Sequence, residues 1–232
     1  MVRPQAASFR QALLAGRWFS TLDEPFAGEL LKHGEVLTLA DRQTVFLRGD
    51  AAGGLYAVVS GAVVVATITE AGREVLLTRM EAPNWFGEIS VFDRQPRTHD
   101  VVADGAVVLV HVPLPGLDAI LSAAPVRWRD LGLLASSKLR LMFQTLEEAS
   151  TLSLAQRLVR RLLLLSESHG GRSDALKQRS LVISQEQLAS MLASSRQSVN
   201  QVLKDLEHKG LVKIAYGAIE IIDFEGLAAA AL

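Results

Sequence analysis

Cysteine is absent from the 232 residues, which removes thiolate nucleophiles, disulfides, cysteine-ligated iron–sulfur clusters and cysteine-type zinc sites. Such a composition suits a reducing compartment. Aromatic residues are scarce at 6%. No run of about 18 apolar residues occurs, so no membrane-spanning helix and no membrane partner is expected. Residues 1–20 lack a long apolar core behind a basic start, and no signal peptide is expected from them. The expected address is the cytoplasm. Catalytic signatures are also missing: there is no G-x-x-x-x-G-K, H-E-x-x-H or G-x-S-x-G. Glu147 and Glu148 are adjacent, so on a helix they diverge by about 100° and read as a solvated face rather than an acid–base pair. No catalytic residue and no metal site is expected, and the chain reads as a non-enzyme.

An excess of charge is lacking too. The net charge is −1. Residues 152–232 carry ten Lys and Arg against eight Asp and Glu, and the preceding part carries fourteen against seventeen. The asymmetry is small, so any contact with nucleic acid must use a local basic face. What the chain does have is 49% apolar and 21% charged residues, enough for a buried core and, at this length, for two modest domains.

Residues 184–222 read as helix, tight turn, helix and β-hairpin. Ser184 and Gln187 form an S-x-x-Q capping box, followed by the apolar face Leu188, Met191 and Leu192. Ala193-Ser194-Ser195 is the turn. Ser195 is the expected N-cap of a second helix from Arg196 to His208. On that helix Val199, Val202, Leu203 and Leu206 form a stripe to be buried. Gln197, Asn200, Gln201 and Lys204 repeat the spacing on the other side, offering amides and an ammonium suited to base edges and phosphates. Gly210 ends the helix. Strands over 211–215 and 218–222, joined through Tyr216-Gly217, complete a winged helix-turn-helix.

Upstream, residues 9–33 read as a broken helical stripe. Short β-rich runs follow over 35–39, 44–47, 55–60, 62–69, 74–80, 99–103 and 106–112, punctuated by Gly, Asp and Pro, which indicates a β sandwich, barrel or jelly roll. After Pro125 a long helix is expected to about Ser150. Trp128, Leu131, Ala135, Met142, Thr145 and Ala149 lie near a coiled-coil period, interrupted by Lys138, and suggest a seam for a second copy. A Leu-rich helix over 152–168 carries Arg157, Arg160 and Arg161 on its polar side. A loop over 169–173 follows, and the stretch 227–232 is nearly all alanine and is expected to fray.

Within the β region, Trp85 to Thr98 is a second constellation. Gly87 allows close backbone approach. Glu88 is an acceptor for a hydroxyl. Ile89–Phe92 suits a short helix whose free N–H groups, those of Ile89 and Ser90 included, face an anion. Arg97 offers a planar fork for phosphate, and Thr98 a hydroxyl. Together these suit a sugar phosphate, and a Glu–Arg surface salt bridge is the competing reading.

This segment resembles the phosphate-binding cassette of cyclic-nucleotide-binding domains. With the β region, the long helix and the winged helix, residues 34–225 resemble the cyclic-AMP receptor protein and fumarate-nitrate-reduction regulator family of bacterial transcription factors. Phe86-Gly87-Glu88 with Pro96-Arg97-Thr98, and residues 183–189 with Ser195-Arg196-Gln197-Ser198-Val199, carry the resemblance. It implies an α+β chain: an N-terminal jelly-roll domain with leading helices (1–124), a dimerisation helix and hinge (125–151) and a winged helix-turn-helix DNA-binding domain (152–232). It also implies that Glu88 accepts the ribose 2′-hydroxyl and that Gly87, Arg97 and Thr98 hold the cyclic phosphate, with the Ile89 and Ser90 amides nearby. Val65, Leu77 and Thr78 would line the base and sugar. Ser195, Arg196, Gln197, Ser198, Asn200, Gln201, Lys204 and Lys213 would meet DNA.

The chain departs from the family pattern. Where the cyclic-AMP-binding archetype reads adenine with Thr-Ser on the long helix, Met142-Phe143 stands. Gln197 and Gln201 replace a Glu and an Arg of the recognition helix, so the target half-site should differ, since Gln pairs best with adenine. Without cysteine the oxygen- and carbon-monoxide-sensing chemistries of the family lose their usual ligands, and His33, His99 and His111 read as structural or exposed. The expected function is a homodimeric transcription regulator of double-stranded DNA, gated by a small-molecule effector (cyclic AMP, or cyclic GMP) with no covalent cofactor, and contacting RNA polymerase. A constitutive or differently gated regulator and a protein-interaction module are the alternatives.

Overall fold

The computed structural model describes residues 5–69, 74–166 and 180–231. The expected loop over 169–173 lies outside the described residues. Contacts divide the chain into two compact units, one of Met1–Glu74 and Thr78–Arg140, the other including Val75–Leu77, Leu141–Ser168 and Ser173–Leu232.

The first unit opens with helices α1 (Arg10–Leu14) and α2 (Glu24–Lys32). Asp23 caps α2 by accepting the Phe26 N–H at 3.0 Å. Strands β1 (Glu35–Leu39), β2 (Thr44–Phe46), β3 (Gly54–Ile68), β4 (Glu74–Glu81) and β5 (Asn84–Phe86) lead to the short helix α3 (Ile89–Asp93). Strand β6 (Asp100–Pro113), helix α4 (Leu114–Ala123) and the long helix α5 (Arg127–Thr151) follow. The sheet has six strands in the order β1-β6-β3-β4, with β2 on β6 and β5 on β3. Two pairs of expected short strands are single long ones, β3 and β6, antiparallel along their length. Register shifts between Val58 and Ser60 and between Ser60 and Ala62, the second spanning Gly61, mark an irregularity within an otherwise continuous ladder.

The two faces of the sheet serve two cores. Tyr56, Val58, Val63, Phe86, Val101 and Leu109 pack together on one side. Their sequence neighbours Leu55, Ala57, Trp85 and Val110 pack on the other, against Phe19, Phe26, Leu30 and Leu117 of the helices. Helix α4 has no counterpart in the sequence reading. Its apolar run follows directly on the β-rich stretch over 106–112, which hides the change of period.

Helix α5 confirms the long helix expected after Pro125 but shifts its seam. Leu131 is fully buried in the unit's own core, and Leu134 nearly so. Trp18 Nε1 donates to the Asp130 carbonyl at 2.7 Å. Thr145 is half-buried with its hydroxyl on the Leu141 carbonyl. The apolar stripe left in solvent is Leu139, Met142, Phe143 and Leu146, each between 52% and 67% exposed.

The second unit holds α6 (Leu154–Ser166), β7 (Ser180–Leu181), α7 (Gln185–Met191), α8 (Arg196–His208), β8 (Val212–Ala215), β9 (Ala218–Ile221) and α9 (Phe224–Ala229). The wing is a three-stranded sheet in the order β7-β9-β8, so a third strand joins the expected hairpin. Leu158, Leu162, Leu188, Val199, Leu203 and Ile221 form the core. The alanine-rich end is helical as far as Ala229. Asp223 caps α9 through the Glu225 and Gly226 N–H groups, and Leu227 is fully buried. Glu148 is likewise no free solvated carboxylate, since Arg160 Nη1 reaches it at 3.2 Å. No helix among the described residues is long and apolar enough to cross a membrane.

Leu203 is 0% exposed at the centre of the second core. Leu203→Ala is expected to destabilise this unit by about 2–5 kcal/mol through lost burial and the cavity left behind. Urea unfolding followed by far-ultraviolet circular dichroism checks the value, and a loss under about 1 kcal/mol contradicts the packing described.

Candidate functional site

The cassette begins where β5 ends. Gly87 takes a φ of +92°, and a Cβ there would lie 2.9 Å from Arg97 Nη1 and 3.0 Å from the Gly54 carbonyl oxygen. Only glycine lets the chain pass so close. Arg97 is 4% exposed. Its Nη1 donates to the Gly87 carbonyl at 2.9 Å and its Nη2 to the Gly54 carbonyl at 2.8 Å. Its guanidinium carbon lies 4.3 Å from the centre of the Phe46 ring and 5.5 Å from that of Tyr56. The backbone is pinned as well, with Arg97 N–H on the Asp50 carbonyl and Gly49 N–H on the Arg97 carbonyl, both at 2.8 Å. Burial pushes the Arg97 guanidinium below its usual value, opposed by Tyr56 and Glu88, yet an arginine stays charged. Burial also pushes the Tyr56 phenol up and the His111 imidazole down. His111 stacks on Tyr56 at 4.3 Å and bonds the Gly53 carbonyl through Nε2 at 2.9 Å.

Glu88 is 4% exposed, and its Oε2 accepts from Lys138 Nζ on α5 at 2.7 Å. Ser90 is buried and Ile89 exposed at the first two positions of α3, while the Val91 and Phe92 N–H groups bond the Glu88 carbonyl at 3.0 and 3.3 Å. Thr98 is exposed, with its hydroxyl 2.9 Å from His99 Nδ1. Val65 is half-buried on β3, paired with Val101. Leu77 is exposed and Thr78 half-buried on β4. Gly87, Glu88, Ile89, Ser90, Arg97 and Thr98 therefore gather around one turn, in keeping with their spacing. Sequence reasoning missed Lys138, Phe46, Tyr56 and Gly54. Lys138 did carry a signal, as the one cation that broke the expected apolar seam.

A cyclic nucleotide is one anionic diester and a ribose hydroxyl, and the residues fit both. Arg97 Nε is buried without a hydrogen-bond partner, so the guanidinium keeps a donor available. Glu88 Oε1 accepts no bond among the described residues, which leaves an acceptor for a hydroxyl. Arg97 and Lys138 supply two cations, with Glu88 and Asp50 as the carboxylates about them.

In the second unit the capping box is complete: Ser184 Oγ accepts the Gln187 N–H, and Gln187 Oε1 accepts the Ser184 N–H at 2.8 Å. Ala193 takes a φ of +48° in the turn, and Ser194 N–H bonds the Ala189 carbonyl at 2.9 Å. Ser195 caps α8 by accepting the Ser198 N–H at 3.0 Å, and the two hydroxyls are 2.8 Å apart. Arg196, Gln197, Gln201 and Lys204 are exposed and Asn200 is half-buried, all away from the Val199, Leu203 and Leu206 stripe. Gln201 Nε2 donates to Asp205 Oδ1 at 3.0 Å, leaving its carbonyl oxygen outward. Lys213 is exposed on β8, and the strand is tied to α8 by Ile214 N–H donating to Glu207 Oε1 at 2.7 Å.

Comparison with known proteins agrees with both halves. Residues 36–124 match the cyclic nucleotide-binding domain model, and residues 156–230 match the Crp-like helix-turn-helix domain model. The CRP-like cAMP-activated global transcriptional regulator of Mycobacterium tuberculosis is 29% identical over 80% of this chain and 83% of its own length. A transcriptional regulator LdrP of Thermus thermophilus is 30% identical over 81% of this chain and 92% of its own. A solved CRP/FNR-family regulator, also from Thermus thermophilus, superposes with a TM-score of 0.68 at 26% identity, covering 85% of this chain and 98% of that one. A cyclic-nucleotide-binding β domain, a long helix and a Crp-like helix-turn-helix thus follow one another in a single chain, and the chain belongs to the CRP/FNR family of DNA-binding transcription regulators.

Proposed function

We propose that this regulator is gated by cyclic AMP bound in the cassette, acts as a homodimer in the cytoplasm, and recruits RNA polymerase at its targets, with no catalytic step of its own. Residues 1–124 form the effector domain, 125–151 the dimerisation helix and hinge, and 152–232 the DNA-binding domain. The observation that carries the reading is the convergence of Arg97, Glu88 and Lys138. Arg97 and the Ile89 and Ser90 amides meet the phosphate, with Gly87 and Thr98 beside them. Glu88 takes the ribose hydroxyl, and Val65, Leu77 and Thr78 line the rest. Because Lys138 of α5 already holds Glu88, a hydroxyl arriving there alters a bond between cassette and long helix, which is the link a gate needs. The M. tuberculosis relative, named as cAMP-activated, supports the choice of nucleotide. The same bond supports a second reading, a regulator gated by another small ligand or by none, in which Lys138 is the permanent partner of Glu88.

Titration calorimetry with cyclic AMP, cyclic GMP and cyclic di-GMP decides between them. Cyclic AMP is expected to bind most tightly, and Arg97→Ala and Glu88→Ala each to weaken it at least about tenfold, because each leaves a polar group of the ligand unpaired. Absence of heat with any of the three favours the second reading.

On DNA, Arg196, Gln197, Asn200, Gln201 and Lys204 face the major groove, with Ser195, Ser198 and Lys213 at the backbone. Gln197→Glu removes an amide donor and is expected to shift preference toward cytosine by about 1–3 kcal/mol at one base pair. Selection from a randomised duplex library reads the shift, and an unchanged logo at every position contradicts the contact.

Paired α5 stripes would bury Leu139, Met142, Phe143 and Leu146. Met142→Glu with Leu146→Glu is expected to turn a particle of twice the chain mass into one of single mass. Sedimentation equilibrium measures it, and a double variant that stays dimeric moves the interface elsewhere.

A further inference from the structure

The last turns of α5 and helix α6 enclose a cleft that the effector reading leaves unused. Its volume is about 300 Å³, the lower end of the range for small-molecule sites. All of it belongs to the second unit. Leu141, Thr145 and Glu148 line it as one helical stripe, and Arg160, Arg161 and Leu164 face it from α6.

Among the described residues its lining carries two guanidiniums, Arg160 and Arg161, against one carboxylate, Glu148. Glu148 Oε1 accepts from Gln144 Nε2 at 3.0 Å and from Arg160 Nη1 at 3.2 Å. The single carboxylate is therefore engaged by Arg160. Arg161 makes no hydrogen bond or ion pair among the described residues, and Glu148 acts on it through charge alone. Burial pushes the Arg161 guanidinium below its usual value. A half-buried guanidinium with a fork of donors thus lies beside leucine side chains of the cleft, an arrangement that an amphipathic anion complements.

We infer that this cleft binds a small amphipathic carboxylate, its head on Arg161 and its chain along Leu141 and Leu164. Inorganic phosphate would leave the leucine wall uncovered, and a neutral apolar molecule would leave Arg161 unpaired. Since α5 ends at Thr151 and α6 begins at Leu154, such a ligand bridges the two sides of a two-residue joint. It fixes the angle between the end of the long helix and the first helix of the DNA-binding part. No cassette residue takes part, so the inference stands apart from the cyclic-nucleotide reading.

Octanoate is a suitable probe, with octanamide as its uncharged counterpart. In titration calorimetry on the full chain, octanoate is expected to bind saturably, and octanamide at least about tenfold more weakly. Arg161→Met removes the cation, and Thr145→Phe fills the cleft while keeping it. Both are expected to lose octanoate binding by at least about tenfold, with Arg161→Lys retaining most of it. Thermal melts of the variants establish that they fold. Absence of octanoate binding to the wild type overturns the inference, as does equal affinity for octanamide, or equal affinity of folded Arg161→Met and Thr145→Phe proteins.

Discussion

A buried guanidinium organises the first unit. Withdrawing the Arg97 charge from water costs several kcal/mol on its own, and the chain answers with two carbonyl hydrogen bonds and the faces of Phe46 and Tyr56. Those partners come from β2, from the first turn of β3 and from the turn after β5, segments distant in sequence. The arginine therefore acts as a bolt through the roll. Gly87 must be glycine because the bolt passes within a Cβ's reach of it. Gly54 is under the same kind of constraint: its φ is +125°, and a Cβ there would meet the Val112 carbonyl oxygen at 2.1 Å.

Lys138 carries that order onto the long helix. Helix α5 presents three kinds of residue in turn. Leu131 and Leu134 lock it to the core, Lys138 reaches Glu88, and Leu139, Met142, Phe143 and Leu146 stay in solvent. A helix of 3.6 residues per turn can do this only if its apolar stripe is interrupted where the cation stands. The pair itself is mostly withdrawn from water, with side chains 5% and 29% exposed. It is worth little as a source of stability, because desolvation offsets much of its attraction. Breaking it leaves a buried carboxylate alone, so whatever replaces the ammonium must donate to Glu88.

What the sequence makes legible follows from the range of the forces involved. The caps at Ser184 and Ser195 and the stop at Gly210 are local chemistry, and the structure has them where the residues predict. The cassette residues were legible because Gly87, Glu88, Arg97 and Thr98 fall within a dozen positions. The seam of α5 was legible as a period but not as a phase. Leu131 and Met142 fit one heptad track equally well, and only tertiary packing decides that the first turns inward and the second outward. Strands β3 and β6 read as pairs of short runs because Gly61 and Gly105, both with positive φ, interrupt the β signal without ending the ladder. Tyr56 was illegible beside Arg97, which it meets across the fold, and Lys138 showed only as a break in the apolar seam, its partner Glu88 lying 50 positions away.

The near-neutral composition is compatible with DNA binding because α8 distributes its chemistry by face. Arg196 and Lys204 bracket the exposed glutamines, so charge is placed at the ends of the polar stripe and neutral amides between. In the proposed DNA contact such a helix would draw register from few phosphates and leave discrimination to hydrogen bonds at base edges. The Gln201–Asp205 bond sharpens this division. The Gln201 amide gives one of its two N–H groups to Asp205 and keeps the other together with its carbonyl oxygen, whereas Gln197 makes no side-chain bond among the described residues.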